Sequence, residues 1–137
     1  MYRFLFVCVE NANRSQMAEA FARIHGGADV EAYSAGSRPS GVVNPKAIAA
    51  MAELNYDLSK HGSKSLDEVK DLEFDFVATM GCGDACPFVK ARIRDDWQIP
   101  DPKHMEPVAF REVRDYISKK VQSAVEMVKS HRTTDTM

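Results

Sequence analysis

The stretch from Phe4 to Phe21 constrains this chain more than any other part of it. Phe4 to Val7 is an apolar run too short for a helix of its own, and it reads as a buried strand ending at Cys8. Ser15 is of a type that caps helices. Met17, Phe21 and Ile24 then recur at helical spacing until Gly26 and Gly27 stop them. The order is strand, tight loop, helix. One cysteine closes the strand, five residues follow, and one arginine, Arg14, stands at the helix start.

A loop entering a helix N-terminus turns several backbone N–H groups toward one point, where the helix dipole adds partial positive charge. Such a nest holds a tetrahedral oxyanion. Arg14 adds a planar fork of donors for two oxygens of the anion. Cys8 faces the same point, and both the dipole and Arg14 favour its thiolate. The pattern is that of a sulfur nucleophile under an oxyanion cradle.

The 137 residues suit a single catalytic domain, 1–137, with a frayed polar tail over 130–137. Eighteen basic against twenty acidic side chains leave a formal charge of −2. That offers no electrostatic case for nucleic acid or an anionic membrane as partner. A small anion has to be attracted by a local site. No apolar run approaches a membrane span, and the first strand begins too early for a signal peptide, so the expected location is cytoplasmic. Three cysteines, an odd number, suit a reducing compartment.

Val30 to Ser34, ending in Ala35 and Gly36, reads as a second strand. Asn44-Pro45 starts a helix, with Ile48, Met51 and Ala52 as its buried stripe. Ser65 to Glu68 has capping-box spacing and opens a short helix. Phe74 to Met80 reads as a central strand, and Asp96 to Ile99 as a short fourth. Pro100-Asp101-Pro102 must be extended. Phe110, Val113, Ile117, Val121, Ala124 and Val128 form one helical stripe over about five turns. Strands alternating with helices imply an α/β fold, a parallel sheet with helices on both faces, and a ligand beyond the carboxyl ends of its strands. Cys8, Cys82 and Asp101 all follow strands and can share that edge.

Cys82 and Cys86 form a second constellation. On a rigid helix their sulfurs would not bond readily; on a loop containing Gly83 they could meet after rearrangement. Two cysteines and scattered histidines do not make a metal site, and none is expected. His25, His61, His104 and His131 show no mutual pattern.

The segment from Cys8 to Ser15 resembles the phosphate loop of the low-molecular-weight protein tyrosine phosphatase superfamily, and Gln16 to Ala20 resembles its thioredoxin-coupled arsenate reductase branch. The resemblance spans roughly residues 2–128. It implies a three-layer sandwich on a four-stranded parallel sheet, with an oxyanion, arsenate or phosphate, bound by Glu10, Asn11, Ala12, Asn13, Arg14 and Ser15. It also implies a thiol cascade. Cys8 attacks arsenate, Cys82 attacks the adduct to release arsenite, and Cys86 takes over the disulfide for reduction by thioredoxin. No tightly bound cofactor is implied. Asp101 matches the superfamily's general acid.

Several positions depart from the family pattern. Lys103 stands where many tyrosine phosphatases carry a tyrosine after the Asp-Pro pair, which weakens the case for an aryl phosphate. Glu10 replaces a common glycine and sets a carboxylate beside the cradle; Asn13 replaces a further cysteine. Only three residues separate Cys82 from Cys86. Relatives that bind potassium use Asn, Glu, Ser and Asp. Asn11, Glu19 and Ser34 match, and Lys64 stands in the place of the aspartate, so its ammonium is expected beside Glu19 with no dependence on potassium. Of three functions, Cys82, Cys86 and the absent tyrosine favour the reductase over a phosphatase using Cys8, Arg14 and Asp101 and over a non-catalytic anion or redox sensor.

Overall fold

The computed structural model describes residues 1–69, 71–80 and 90–136, with 131–136 by backbone alone. Its elements are β1 (Tyr2–Cys8), α1 (Arg14–Gly26), β2 (Val30–Gly36), α2 (Pro45–Ala52), β3 (Phe74–Thr79), β4 (Ala91–Asp96) and α3 (Pro107–Thr136). Short 3₁₀ turns lie at Gly27–Asp29, Leu58–Lys60 and Leu66–Glu68. The four strands are parallel and lie in the order β2-β1-β3-β4. The order reverses between β1 and β3, and the crevice outside the carboxyl ends of such strands is where an α/β sheet binds its ligand. Cys8 is the last residue of β1.

Alternation along β1 divides the core. Phe4, Phe6 and Cys8 face a large cluster built with Met17 and Phe21 of α1, Ala47 and Met51 of α2, and Phe110, Ile117 and Val128 of α3. Leu5 and Val7 face a smaller cluster with Leu66, Val69, Phe74 and Val77. The first face carries an aromatic seam, with ring centroids 5.5 Å apart for Phe4 and Phe76 and 5.9 Å for Phe6 and Trp97. Each such buried ring contributes about 1.5–3 kcal/mol of transfer free energy.

The expected helix caps are partly corrected. Asn44 accepts a hydrogen bond from the Lys46 N–H, with Pro45 as first helical residue, and Ser65 with Glu68 forms the full capping box, here over a 3₁₀ turn. Ser15, however, lies inside α1. The cap is Asn13, which makes no side-chain capping bond, and the Ser15 hydroxyl is engaged with Cys8 and Asn11. Ile24 and Ala52 are exposed, and their helices turn alanines inward: Ala18 and Ala22 in α1, Ala47 and Ala50 in α2.

The fourth strand is also displaced. It runs Ala91–Asp96 rather than 96–99, while Trp97 and Ile99 enter the core just beyond it. β4 is an edge strand, and its charged Arg-Ile-Arg-Asp-Asp pattern guards the open edge at the expense of an apolar signal. All three α-helices contribute to the first face. Among the described residues the second face is covered by the segment around Leu66–Glu68, where a helix was expected. The backbone of α3 stays helical to Thr136, through the polar stretch read as a frayed tail.

Gly36 ends β2 opposite Cys8 and bridges to Ser65. A Cβ there would meet the Val9 carbonyl oxygen at 2.5 Å and the Asn11 nitrogen at 3.0 Å, so only glycine lets β2 lie against the loop after Cys8. Gly36→Ala is therefore expected to cost about 1–3 kcal/mol in urea denaturation and to weaken inorganic phosphate binding by calorimetry, because the displaced atoms belong to the loop backbone.

Candidate active site

The loop from Val9 to Asn13 is held from outside by its carbonyls. Those of Cys8, Val9, Glu10 and Ala12 accept N–H bonds from Ser37, Arg38, Ser40 and Asn44 at 2.8–3.2 Å. Asn11 adopts a left-handed backbone, φ 52°, which asparagine tolerates better than most residues. With these four carbonyls engaged outside the loop, its N–H groups are left for an anion, as a nest requires.

Cys8 is buried, and its sulfur lies 2.9 Å from Ser15 Oγ. Asn11 Nδ2 donates to that same Oγ at 2.8 Å. Since the hydroxyl accepts from Asn11, its own proton is free to point at sulfur, and a donor so aimed stabilises negative charge there. Asn11 and Ser15 thus support the nucleophile from behind. Glu10, Ala12, Asn13 and Arg14 line the cavity in front, a space of about 230 Å³ shared with Cys8, Val9 and Asp101. Among the described residues the buried Asn13 Oδ1 has no hydrogen-bond partner.

Arg14 is nearly buried. It donates to the Ile99 carbonyl at 3.0 Å and stands 3.9 Å from Asp101 Oδ2, so the residues after β4 bring the acid to the loop. Asp101 is partly exposed, its Oδ1 accepting from the Lys103 N–H. Lys103 Nζ in turn pairs with Glu10 across the rim at 3.3 Å. Cys82 and Cys86 lie outside the described residues.

Behind the loop runs a network only partly anticipated. Gln16 Nε2 donates to the Asn11 carbonyl, to Asn11 Oδ1 and to the Gly62 carbonyl. Its Oε1 faces His61 Nδ1 at 3.0 Å, with Glu19 Oε2 at 3.2 Å from the same nitrogen. Two acceptors at Nδ1 place the ring proton there, and Nε2 accepts from the Tyr56 hydroxyl at 2.7 Å. His61, read from sequence as unremarkable, therefore connects Tyr56 through Gln16 and Asn11 to Ser15 and Cys8. A signal existed: Ser15, Gln16 and Glu19 fall on one face of α1, and all three are buried.

Glu19 is buried among partners. Ser34 Oγ donates to it at 2.7 Å, Arg23 lies at 3.1 Å, and Lys64 Nζ at 3.6 Å, beside Glu19 as expected. The Lys64 ammonium also donates to the Gly62 carbonyl, while the Lys64 N–H holds Asn11 Oδ1. Among the described residues no three His, Cys, Asp or Glu side chains are grouped to hold a metal ion.

A strand-ending thiol under an anion loop, with a buried arginine inside it and an aspartate at its rim, defines a phosphatase-type site. The sequence signature of the low molecular weight phosphotyrosine protein phosphatase family matches residues 3–134, and the chain belongs to that family. Within it the chain is similar to arsenate reductases. It is 40% identical to arsenate reductase 1 of Staphylococcus haemolyticus, over 85% of this chain and 90% of that one. It is 35% identical to the glutaredoxin arsenate reductase of Synechocystis, over 91% and 97%. Among solved structures it resembles an arsenate reductase in the phosphate binding state, with TM-score 0.86 and 34% identity, covering 93% of this chain and 99% of that one. The thioredoxin-dependent arsenate reductase of Corynebacterium glutamicum follows at TM-score 0.81 and 29% identity, over 96% and 63%.

Burial lowers the His61 pKa below 6.5 against the opposing pull of Glu19, and burial likewise lowers that of His25. The unfolded chain then binds protons that the native one refuses. Stability is full above the unfolded value and declines as pH falls through 6.5 toward the native values. Urea denaturation between about pH 5.5 and 8 is expected to show that decline, and His61→Gln to make it shallower, leaving the share of His25.

Proposed function

We propose that this chain is an arsenate reductase working through a three-thiol relay. The observation that carries the reading is the Cys8 sulfur, supported by Ser15 and Asn11 and facing a cavity that Arg14 and Asp101 share, in a chain alike to arsenate reductases over nearly its whole length.

The steps follow from the chemistry. The Cys8 thiolate attacks arsenic(V) held by the loop amides and Arg14. An As–S bond forms, and an As–O bond breaks as Asp101 protonates the departing oxygen, which leaves as water. The Cys82 thiolate then attacks Cys8 sulfur. The S–S bond forms, the As–S pair returns to arsenic, and arsenite, now arsenic(III), departs. Cys86 attacks Cys82, freeing Cys8 and leaving a Cys82–Cys86 disulfide. Two electrons have passed from two thiols to arsenic, and an external dithiol restores them. Thioredoxin is the donor proposed, since a similar structure is named thioredoxin-dependent; the Synechocystis relative makes glutaredoxin the rival. Free thiols in such a relay fit a reducing compartment, so we assign the protein to the cytoplasm.

The discriminating measurement is arsenate-dependent NADPH oxidation with thioredoxin and its reductase. Wild-type protein is expected to turn over, Cys8→Ser, Cys82→Ser and Cys86→Ser to lose turnover, and Ser15→Ala to lose about tenfold in kcat/KM. A silent wild type that hydrolyses an aryl phosphate, with Cys82→Ser and Cys86→Ser equally active, would make the protein a phosphatase.

Lys64 supports a second expectation. Its ammonium occupies the oxygen-lined place beside Glu19 and the Gly62 carbonyl. At constant ionic strength the wild-type rate should be the same in potassium and sodium chloride. Lys64→Asp should lower the rate several-fold and let potassium restore it, because Glu19 keeps Arg23 at Oε2 but loses the cation beside Oε1 and gains a second carboxylate there. Several-fold activation of the wild type by potassium would refute this.

A further inference from the structure

Glu10 follows Cys8 by two residues, and Lys103 follows Asp101 by two. Their side chains meet over the rim of the site, Lys103 Nζ standing 3.3 and 3.4 Å from the two Glu10 oxygens. Lys103 is held elsewhere as well. Its N–H donates to Asp101 Oδ1 at 3.1 Å, and its carbonyl accepts from Lys46 Nζ of α2 at 3.1 Å. From inside, Arg14 ties the same segment through Ile99 and Asp101. The acid loop is therefore fastened across the anion loop at two levels, by Arg14 within the cavity and by Glu10–Lys103 at its mouth.

The charges explain the pairing. A lone carboxylate two residues from the nucleophile would repel a divalent oxyanion. Lys103 cancels that charge at short range, so the cavity keeps the attraction of Arg14 and the loop amides. The same pair meets any larger ligand differently. The cavity of about 230 Å³ has Glu10 and Asp101 in its lining, and it suits a bare tetrahedral oxyanion. An ester must carry its substituent out past the rim. An aryl ring laid there would strip water from an ion pair and offer no compensating bond.

We propose that the Glu10–Lys103 ion pair is the selectivity element of this site, a brace between the acid loop and the anion loop that favours unsubstituted oxyanions over aryl phosphomonoesters. This deepens the reductase reading and rests on it for biological meaning. Its measurement does not, because it uses only anion binding and ester hydrolysis at Cys8.

The probes are inorganic phosphate, by calorimetry, and p-nitrophenyl phosphate, by hydrolysis. Lys103→Ala should weaken phosphate binding about fivefold, because Glu10 then faces the anion without its counter-charge. The double variant Glu10→Gly with Lys103→Ala should recover most of that affinity and raise kcat/KM for the aryl ester about tenfold, a coupling that two independent surface residues would not show. Both side chains are 40–45% exposed, so the variants should fold, and circular dichroism checks that they do. Unchanged phosphate binding in Lys103→Ala, or an unchanged preference for phosphate over the aryl ester in the double variant, overturns the proposal. Failure of the wild type to reduce arsenate would instead remove the reductase reading and leave the selectivity result standing.

Discussion

The site depends on one side-chain amide. Asn11 donates through Nδ2 to Ser15, accepts through Oδ1 from Gln16 and from the Lys64 N–H, and offers its carbonyl to Gln16 as well. Each bond has a separate consequence. The first turns the Ser15 proton toward Cys8. The others fasten the loop to α1 and to the segment before Ser65. They also hold Asn11 in a left-handed conformation that costs about 1 kcal/mol or more unless its surroundings impose it. Every polar group of this amide is buried and satisfied, and such networks define a single geometry because each broken member strands another at about 1–3 kcal/mol.

Electrostatics inside the protein are arranged in two tiers. Beneath the loop the buried Glu19 carboxylate gathers Arg23, Lys64 and the His61 N–H, and Ser34 ties it to β2. At the surface, Glu10 and Lys103 set a second, solvated pair over the mouth. Between them lie the loop amides and Arg14, whose positive potential the net charge of −2 does not reveal. The buried tier holds geometry, since removing one partner of a desolvated carboxylate is costly. The solvated tier holds little stability and has more effect on which ligands enter.

The elements legible in the sequence were those with local causes. A strand, a cysteine, five residues and an arginine at a helix start are contiguous, so β1, the loop and α1 could be read directly. The stripe of α3 and the caps at Asn44 and Ser65 rest on spacing and were equally plain. β4 was misplaced because an edge strand carries charges where a buried one carries apolar residues. Ser15 looked like a cap because its other use, a bond to Cys8, depends on a neighbour seven residues away.

The sequence by itself determined the chemistry available: a thiol closing a strand, an arginine at the next helix start and an aspartate between prolines, in a chain with two more thiols and a lysine replacing an aromatic wall. Only tertiary structure decided how these act together. It brought Asp101 to Arg14 and Lys103 to Glu10, and it drew His61 and Tyr56 into the support of Cys8. The physical reason is reach. Helix caps and periodic stripes are set by residues within a turn or two, and their signal stays in the sequence. The bonds at the rim join residues far apart in the chain, and they exist only once the parallel sheet has carried β1, β3 and β4 to a common edge.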